Sequence, residues 1–397
     1  MNISDAERRR RLIRRHHLGR TAPGVVEAVR GVAALHSTDP AGPYLAAWAR
    51  VPGFQTPDLE NELCERRTLW RMHTIRRTLF IVPEADAPYF EAGAGRDIAR
   101  RERARLVGWL SAELNPVEVA AWLDQLAGLV LDALTGKELG TRKLTTAVPD
   151  LATQVTLGSG RWAARVPVSS RLLFLMAMAG LIVRTRTPGS WRASQYRWAT
   201  VADWRGEPLP RVSEVEGRAE VARRYLATHG PVTLADLRWW TGWTATAAKQ
   251  ALAGIEAVAV ELECADPGWV LPGDGGETEP PDGAVVTLLP ALDSTPMGFR
   301  QRDWYLGPHA GPLFDANGNI GPTVWVDGRI VGGWGQRSTG EVAYELLEGV
   351  DALPARLIAD EAKLLTGWLA GAVVQPRFPT PLARDILAGK GQEGRRG

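Results

Sequence analysis

The sequence contains no apolar run of the ~18 residues that a membrane-spanning helix requires. Its arginine-bearing N-terminal segment has no apolar stretch behind it, unlike a secretory signal peptide. Only two cysteines occur, Cys64 and Cys264, and both lie outside any Cys-x-x-Cys or Cys/His cluster. They therefore predict neither a disulfide framework nor a zinc site. From these absences we expect a soluble cytoplasmic protein, without membrane attachment, that binds no metal and no other cofactor.

Lysine is also scarce, and the positive charge that arginine supplies is unevenly distributed. Residues 1–210 carry a formal charge of +9 and residues 211–397 carry −7, although the whole chain is close to neutral at +2. Only the first half therefore suits a polyanionic partner such as DNA. At 397 residues the chain is also too long for one compact core, so we expect several domains.

The first 82 residues show an order of elements that is typical of a winged helix. Ser4 and Glu7 fit a capping box, which opens a polar helix with six arginines. Asp39 and Pro40 are predicted as the N-cap and first residue of a later helix, which leaves residues 36–38 as a short bridge. Apolar periodicity predicts helices at about 5–15, 23–35, 39–51 and 57–66 and a strand at 76–82.

The same order recurs twice before the chain changes to β structure. Helices are predicted at 116–134, 167–181 and 214–228, a hairpin at 181–201, a helix-turn-helix at 231–255 and a linker at 273–283. Beyond residue 284, Asp327-Gly328 between two apolar runs indicates a β-hairpin. We therefore predict an α+β fold of three tandem winged-helix (helix-turn-helix) domains and a small C-terminal β-barrel. The predicted boundaries are 1–112, 113–210 and 211–275 for the winged helices, 283–350 for the barrel-like domain, and 351–397 for a C-terminal helix and polar tail.

Several segments together resemble the winged-helix DNA glycosylases of the AlkZ/YcaQ type. They are GVAALHSTDPAGPYLAAWARV, RMHTIRRTLFIVP, GPVTLADLRWWTG, LLPALDSTPMGFRQRDW and VDGRIVGGW, in the order found in the family, and they span roughly residues 5–370. The resemblance implies winged helices and a β-barrel around a basic cleft, and excision of alkylated purines from duplex DNA. The family's catalytic signature is Gln-x-Gln or Gln-x-Asp. Here His36 and Thr38 occupy the matching positions.

The chemistry that these residues suit is the placement of a water molecule. Side chains at i and i+2 of an extended bridge point the same way, so His36 and Thr38 converge while Ser37 faces away. Histidine, with an unperturbed pKa near ~6.5, is able to take a proton from that water, and Thr38 is able to orient it. Asp39 would add negative charge beside the cationic sugar of the transition state. The alternatives are structural: Asp39 as an N-cap, His36 bonded to a nearby carbonyl, and Thr38 as a turn former.

Arginines of the first half are the predicted DNA contacts. They fall on the first helix, at the start of the predicted strand at 76–82, and on the hairpin at 181–201, where they alternate with aromatic residues. Ordinary solvated helix or hairpin faces are the alternatives. The predicted DNA-binding residues are Arg10, Arg11, Arg14, Arg15, Arg76, Arg77, Arg184, Arg186, Arg192 and Arg197. Possible cleft residues are Tyr44, Trp48, Arg300 and Arg302, the two arginines having Asp293 and Asp303 as alternative partners.

The sequence therefore predicts a monofunctional, metal-free DNA glycosylase that acts as a monomer on cationic N3- or N7-alkylated purines, bulky or crosslinked adducts included. The alternative function is a non-catalytic winged-helix DNA binder, either a transcription regulator or a lesion sensor. Fold alone does not separate the two.

Overall fold

The computed structural model describes residues 1–111, 115–158, 163–263 and 266–389. Cys64 is buried, whereas Cys264 and the end of the polar tail lie outside the described residues. The chain divides into two compact units. The first unit comprises Met1–Leu59 and Ala222–Gly397, and the second comprises Glu60–Val221. Within the described ranges, no helix is both long and apolar enough to cross a membrane.

Helices and strands are interspersed along the described residues. In the part of the chain that the structure describes, the helices are α1 (Asp5–Arg15), α2 (Val25–Arg30), α3 (Gly42–Trp48), α4 (Thr56–Glu60), α5 (Ala87–Phe90), α6 (Arg96–Leu110), α7 (Pro116–Leu134), α8 (Thr141–Ala147), α9 (Ser169–Met178), α10 (Val201–Arg205), α11 (Glu214–His229), α12 (Leu234–Thr241), α13 (Ala245–Gly254), α14 (Asp303–Leu306), α15 (Ala310–Leu313), α16 (Ala352–Leu369) and α17 (Pro381–Leu387). The strands are β1 (Asn2–Ile3), β2 (Leu35–His36), β3 (Leu69–His73), β4 (Leu79–Pro83), β5 (Leu139–Gly140), β6 (Gln154–Leu157), β7 (Ala164–Pro167), β8 (Ile182–Arg184), β9 (Arg197–Thr200), β10 (Val232–Thr233), β11 (Val258–Leu262), β12 (Gly268–Val270), β13 (Val286–Leu289), β14 (Thr323–Val326), β15 (Arg329–Gln336) and β16 (Val342–Leu346).

Helix α1 begins where the sequence predicts, but its polar surface is not all solvated. The Ser4 hydroxyl accepts the Glu7 N–H at 3.1 Å, which caps the helix. Arg8 and Arg11 are nevertheless buried, the guanidinium of Arg8 lying 4.1 Å from the Trp304 ring. The donors of Arg11 are satisfied by acceptors inside the protein, whereas Nε and Nη2 of the buried Arg8 have no hydrogen-bond partner among the described residues.

The first sheet of the first unit joins the two chain segments that form this unit. Its order is β1-β11-β12-β10, and β1 runs parallel to β11 with Asn2 opposite Glu261. Strands β11 and β12 are antiparallel neighbours, with Val258 opposite Val270. Helices α12 and α13 confirm the predicted helix-turn-helix, and Thr233 with Asp236 forms a reciprocal capping box at the start of α12.

The second sheet of the first unit is antiparallel, in the order β13-β14-β15-β16. Asp327 and Gly328 both have positive φ, 48° and 76°, in the predicted turn between β14 and β15. Helix α16 packs against β13 and β16. Among the described residues the four strands form an open sheet and no closed barrel is found, so the barrel prediction is not confirmed, and neither is the number of winged helices.

Aromatic rings pack against each other in the interior of the first unit. Tyr225 of α11 stacks on Trp240 of α12 with ring centroids 4.5 Å apart, and Tyr305 of α14 stacks on Trp325 of β14 at 5.4 Å. Phe299 lies 5.8 Å from Tyr305. Such contacts stabilise beyond the area that the rings bury. They fasten the helix-turn-helix and the open sheet to the segment that precedes α14.

The second unit packs helices on a short sheet. Its strands run in the order β4-β3-β8-β9-β5, with β6-β7 as a separate hairpin. Helices α7 and α9 supply the core through Leu123, Leu126, Val130, Leu172 and Met176. Helix α7 confirms the prediction over 116–134, with Asn115 as its N-cap. Strand β4 begins at Leu79 rather than at residue 76, because residues 75–77 form a 3-10 turn.

One ion pair in the first unit is completely buried. The side chains of Arg50 and Asp293 are 0% exposed and form two hydrogen bonds, of 2.7 and 2.9 Å. The other donors of Arg50 bond to the carbonyls of His16 and Ala46 and to the Thr295 hydroxyl. All five guanidinium N–H groups therefore have an acceptor, which is the condition for burying this charge.

We expect Arg50→Met to lower the free energy of unfolding by about 3–5 kcal/mol, because it leaves the Asp293 carboxylate buried without its partner. The matched control is Arg30→Met, since Arg30 pairs with Glu27 at the surface with side chains 60% and 42% exposed. That pair is expected to contribute about 0–1 kcal/mol. Denaturant unfolding of both variants measures the difference, and equal costs would contradict the assignment.

Candidate active site

The site begins with the bridge that the sequence predicts between two helices of the first unit. Leu35 and His36 form β2, and the chain then continues without regular structure to the start of α3. His36 and Thr38 are half-buried, whereas Ser37 between them is only 1% exposed. His36 and Thr38 are therefore more accessible to solvent than the residue between them.

Asp39 does not cap α3, so that prediction is wrong. The helix begins at Gly42, with Pro43 in its first turn, where the missing proline N–H is tolerated. The Asp39 carboxylate instead accepts the Ala41 N–H at 3.2 Å and the Arg377 N–H at 3.1 Å. Asp39 therefore closes a local turn and fastens the bridge to the segment before α17. It is 8% exposed, so its charge is largely shielded from solvent.

Ser294 holds the other end of the bridge, and the sequence did not single it out. Its hydroxyl accepts the His36 N–H at 2.9 Å and donates to the Ala34 carbonyl at 2.8 Å. The hydroxyl is buried, with Ser294 4% exposed. The sequence feature that could have pointed to Ser294 is the group of three consecutive polar residues, Asp293, Ser294 and Thr295, directly after the apolar run LLPAL.

Two buried histidines, His16 and His229, contact each other, and His16 also contacts this polar segment. His16 Nδ1 is 2.8 Å from the Thr295 hydroxyl, and the His16 and His229 rings are 4.5 Å apart. Burial, reinforced by the neighbouring His229 and Arg50, holds the pKa of His16 well below its usual value. Burial also lowers the pKa of His229 to about 3. Neither ring therefore gains a proton near neutral pH, and the charge of this region stays constant there.

Helix α1 presents few of its arginines to solvent. Arg11 binds the Glu7 carboxylate at 2.7 Å and two carbonyls of the 273–283 segment, and Arg15 binds Asp274 at 2.6 Å. The prediction that Arg11 and Arg15 contact phosphate is thereby corrected, because their donors are used inside the protein. The segment at 273–283, predicted as a linker, is therefore bound to α1 through Arg11 and Arg15. Arg10 is half-buried against Glu7, whereas Arg14 is exposed.

Arg76 and Arg77 occupy the tight turn between β3 and β4. Their φ angles are 49° and 66°, in the left-handed region that side chains with a Cβ atom seldom adopt. Arg77 is exposed and pairs with Glu102 at 3.3 Å. Both arginines therefore lie on a hairpin turn of the second unit and not within the strand predicted there.

The predicted hairpin at 181–201 is confirmed by the pairing of β8 with β9, but its arginines differ in exposure. Arg184 lies over the rings of Tyr196 and Trp198, at 5.2 and 5.1 Å, and burial lowers its pKa to about 10. Arg184 is half-buried, with its guanidinium packed on these rings. Exposed positions are occupied by Arg186, which pairs with Glu65 at 2.8 Å, and by Arg192 and Arg197.

The predicted cleft residues of the first unit are mostly buried. Tyr44 is 2% and Trp48 6% exposed, so both belong to the core and not to a cleft wall. Arg302 lies between the rings of Trp239 and Phe314, 5.1 and 4.9 Å from their centroids. Arg300 is exposed, and its backbone N–H is bound by Asp236.

Asp293, offered as an alternative partner of Arg300 and Arg302, pairs with Arg50 instead. As for metal ligands, no group of three His, Cys, Asp or Glu side chains is placed to hold a metal ion in the ranges that the structure describes.

Comparisons with known proteins identify what the chain is similar to. The sequence profile of the family described as DNA glycosylase AlkZ-like matches residues 29–368. Among solved structures, the DNA glycosylase AlkZ of Streptomyces sahachiroi superposes with a TM-score of 0.71 at 20% sequence identity, over 94% of this chain and 98% of that chain. That identity is low enough for the superposition to bear on the fold alone. A comparison with curated proteins gives no significant match.

Exposed arginines without an internal partner are the best test of the predicted DNA contacts. Arg14 and Arg197 are exposed, and neither forms an ion pair with a carboxylate among the described residues. We expect Arg14→Gln and Arg197→Gln each to reduce the slope of log K for DNA binding against log salt by about 0.9, the effect of one lost phosphate contact. The control is Arg66→Gln, since Arg66 already pairs with Glu62 at 3.0 Å. Fluorescence anisotropy gives the slopes, and unchanged slopes for both variants would exclude these contacts.

Proposed function

The chain belongs to the AlkZ-like DNA glycosylase family, and from this premise we propose that it hydrolyses the N-glycosidic bond of cationic N3- or N7-alkylated purines in duplex DNA. Bulky or crosslinked adducts of the same chemistry are included. The observation that carries the proposal is the bridge of residues 36–39, which lies inside the matched region and leaves His36 and Thr38 more accessible than the residue between them.

The proposed reaction uses the charge that alkylation has already placed on the base. The bond from C1′ to the purine nitrogen breaks, and its electron pair moves into the ring, which leaves as a neutral base. Water forms the new bond to C1′, and its proton passes to a ring nitrogen of His36, with Thr38 orienting the water. A strong general acid is unnecessary, so one histidine and one hydroxyl supply the groups that the reaction needs.

Asp39 contributes by charge and not by reaction with the sugar. Its oxygens accept the N–H groups of Ala41 and Arg377, which fixes the orientation of the carboxylate. A fixed negative charge in a poorly solvated position stabilises a developing oxocarbenium ion more strongly than one in water. The structural role of Asp39 in the turn and this electrostatic role are compatible.

The first 136 residues contain no lysine, so the bridge has no neighbour in sequence that could form a Schiff base with the sugar. We therefore propose hydrolysis without strand cleavage. We also propose that the basic half of the chain binds duplex DNA. The chain is proposed to contain three winged-helix modules with the boundaries predicted from the sequence, and to act as a monomer in the cytoplasm. The rival function, DNA binding without catalysis, is supported only by the replacement of both motif glutamines by His36 and Thr38.

We expect His36→Ala to lower the single-turnover rate of N7-methylguanine excision by about 10²–10⁴-fold, the usual contribution of a general base. Abasic sites are converted to breaks by hot alkali and counted on a gel. The control is His309→Ala, a histidine paired with Glu348 at 2.9 Å outside the bridge. Equal rates for His36→Ala and the wild type would refute the role of His36.

A further inference from the structure

We propose that Ser294 is a positioning residue of the glycosylase reaction, which sets the location of His36 by binding the backbone on both sides of Leu35. The inference rests on the proposed function, because it assigns a role relative to His36. Ser294 lies far from the bridge in sequence and does not itself offer a group to the substrate.

The hydroxyl of Ser294 makes two hydrogen bonds to the backbone at one edge of β2, where a neighbouring strand would otherwise make them. The Ala34 carbonyl and the His36 N–H point to the same edge of β2, as the groups of residues i and i+2 do in any strand. The hydroxyl accepts from the His36 N–H at 2.9 Å and donates to the Ala34 carbonyl at 2.8 Å. One buried side chain therefore fixes the backbone from which the His36 ring projects.

Ser294 itself is held firmly, which a positioning residue requires. The preceding residue, Asp293, is bound twice by Arg50, and the following residue, Thr295, donates its N–H to Asp293 at 2.9 Å. Leu292 has a φ of 59°, a conformation that is retained only where the surrounding contacts dictate it. The serine is therefore presented from a rigid turn, and movement of its hydroxyl would move β2.

Thr287 provides a matched comparison in the same unit. Its buried hydroxyl accepts the Gly19 N–H at 2.9 Å, and Thr287 is 3% exposed. Like Ser294, Thr287 therefore accepts a hydrogen bond from a backbone N–H, but this N–H lies outside the bridge. A purely structural role of Ser294 would make the two hydroxyls equivalent, whereas a positioning role would make only Ser294 affect the rate of reaction.

The test is a double-mutant cycle with Ser294→Ala, His36→Ala and the double variant, with Thr287→Val as the control. Ser294→Ala is expected to slow single-turnover excision of N7-methylguanine about 10- to 100-fold, as a displaced catalytic group does, with an unchanged Kd for the duplex. In the His36→Ala background the same substitution is expected to change the rate less than about twofold, because residues that act through one another are non-additive. Thr287→Val is expected to keep the wild-type rate.

The outcomes separate the two proposals. If the wild type releases no alkylated purine, the proposed function is contradicted, and the positioning role with it. Two results with an active wild type would contradict only the positioning role. One is a Ser294→Ala rate equal to the wild-type rate. The other is a Ser294→Ala effect of the same factor in the His36→Ala background as in the wild-type background. Should Ser294→Ala fail to fold, Ser294→Cys, which keeps the side-chain size but only a weak donor, is measured in the same cycle with the same criteria.

Discussion

The candidate site depends on one buried guanidinium. Arg50 is 0% exposed, and its five N–H groups bind the Asp293 carboxylate, the Thr295 hydroxyl and the carbonyls of His16 and Ala46. Because a buried charge is tolerated only when every donor is satisfied, these groups are constrained together. The same pair fixes Asp293 and Thr295 on either side of Ser294, whose hydroxyl holds β2. The buried ion pair therefore also constrains Ser294, and the two hydrogen bonds of Ser294 hold the backbone of His36, the residue proposed to activate water.

Much of the fold was predictable because local signals and tertiary structure agree. Ser4 caps α1, α7 follows its apolar period, and the turn at Asp327 and Gly328 adopts the positive φ angles expected of that dipeptide. The errors fall where long-range contacts override such signals. Asp39 precedes a proline and reads as an N-cap, yet its carboxylate is taken by the backbone of Arg377, 338 residues away in sequence. The division into units is equally invisible in sequence, since the first unit is completed only after Ala222.

The arginines show why composition does not identify a binding surface. A count of charges treats Arg11 and Arg14 alike, although one is buried against Glu7 and the other faces solvent. The same contrast separates Arg184, packed over Tyr196, from Arg197 on the neighbouring strand. The internal acceptors that occupy particular guanidinium groups become visible only in three dimensions. The exposed arginines are therefore fewer than the sequence suggests, and the site residues His36 and Thr38 stay a prediction that only chemistry can test.

The central claim is that this member of the AlkZ-like DNA glycosylase family hydrolyses the glycosidic bond with a histidine and a threonine where the family signature has glutamine. Its most direct test is mass spectrometry of the products after incubation of the wild-type protein with duplex DNA that carries one N7-methylguanine. The account predicts free N7-methylguanine in an amount equal to the abasic sites, with both strands unbroken. A protein that binds this duplex and releases no base, under conditions in which the released base is detectable, would contradict it.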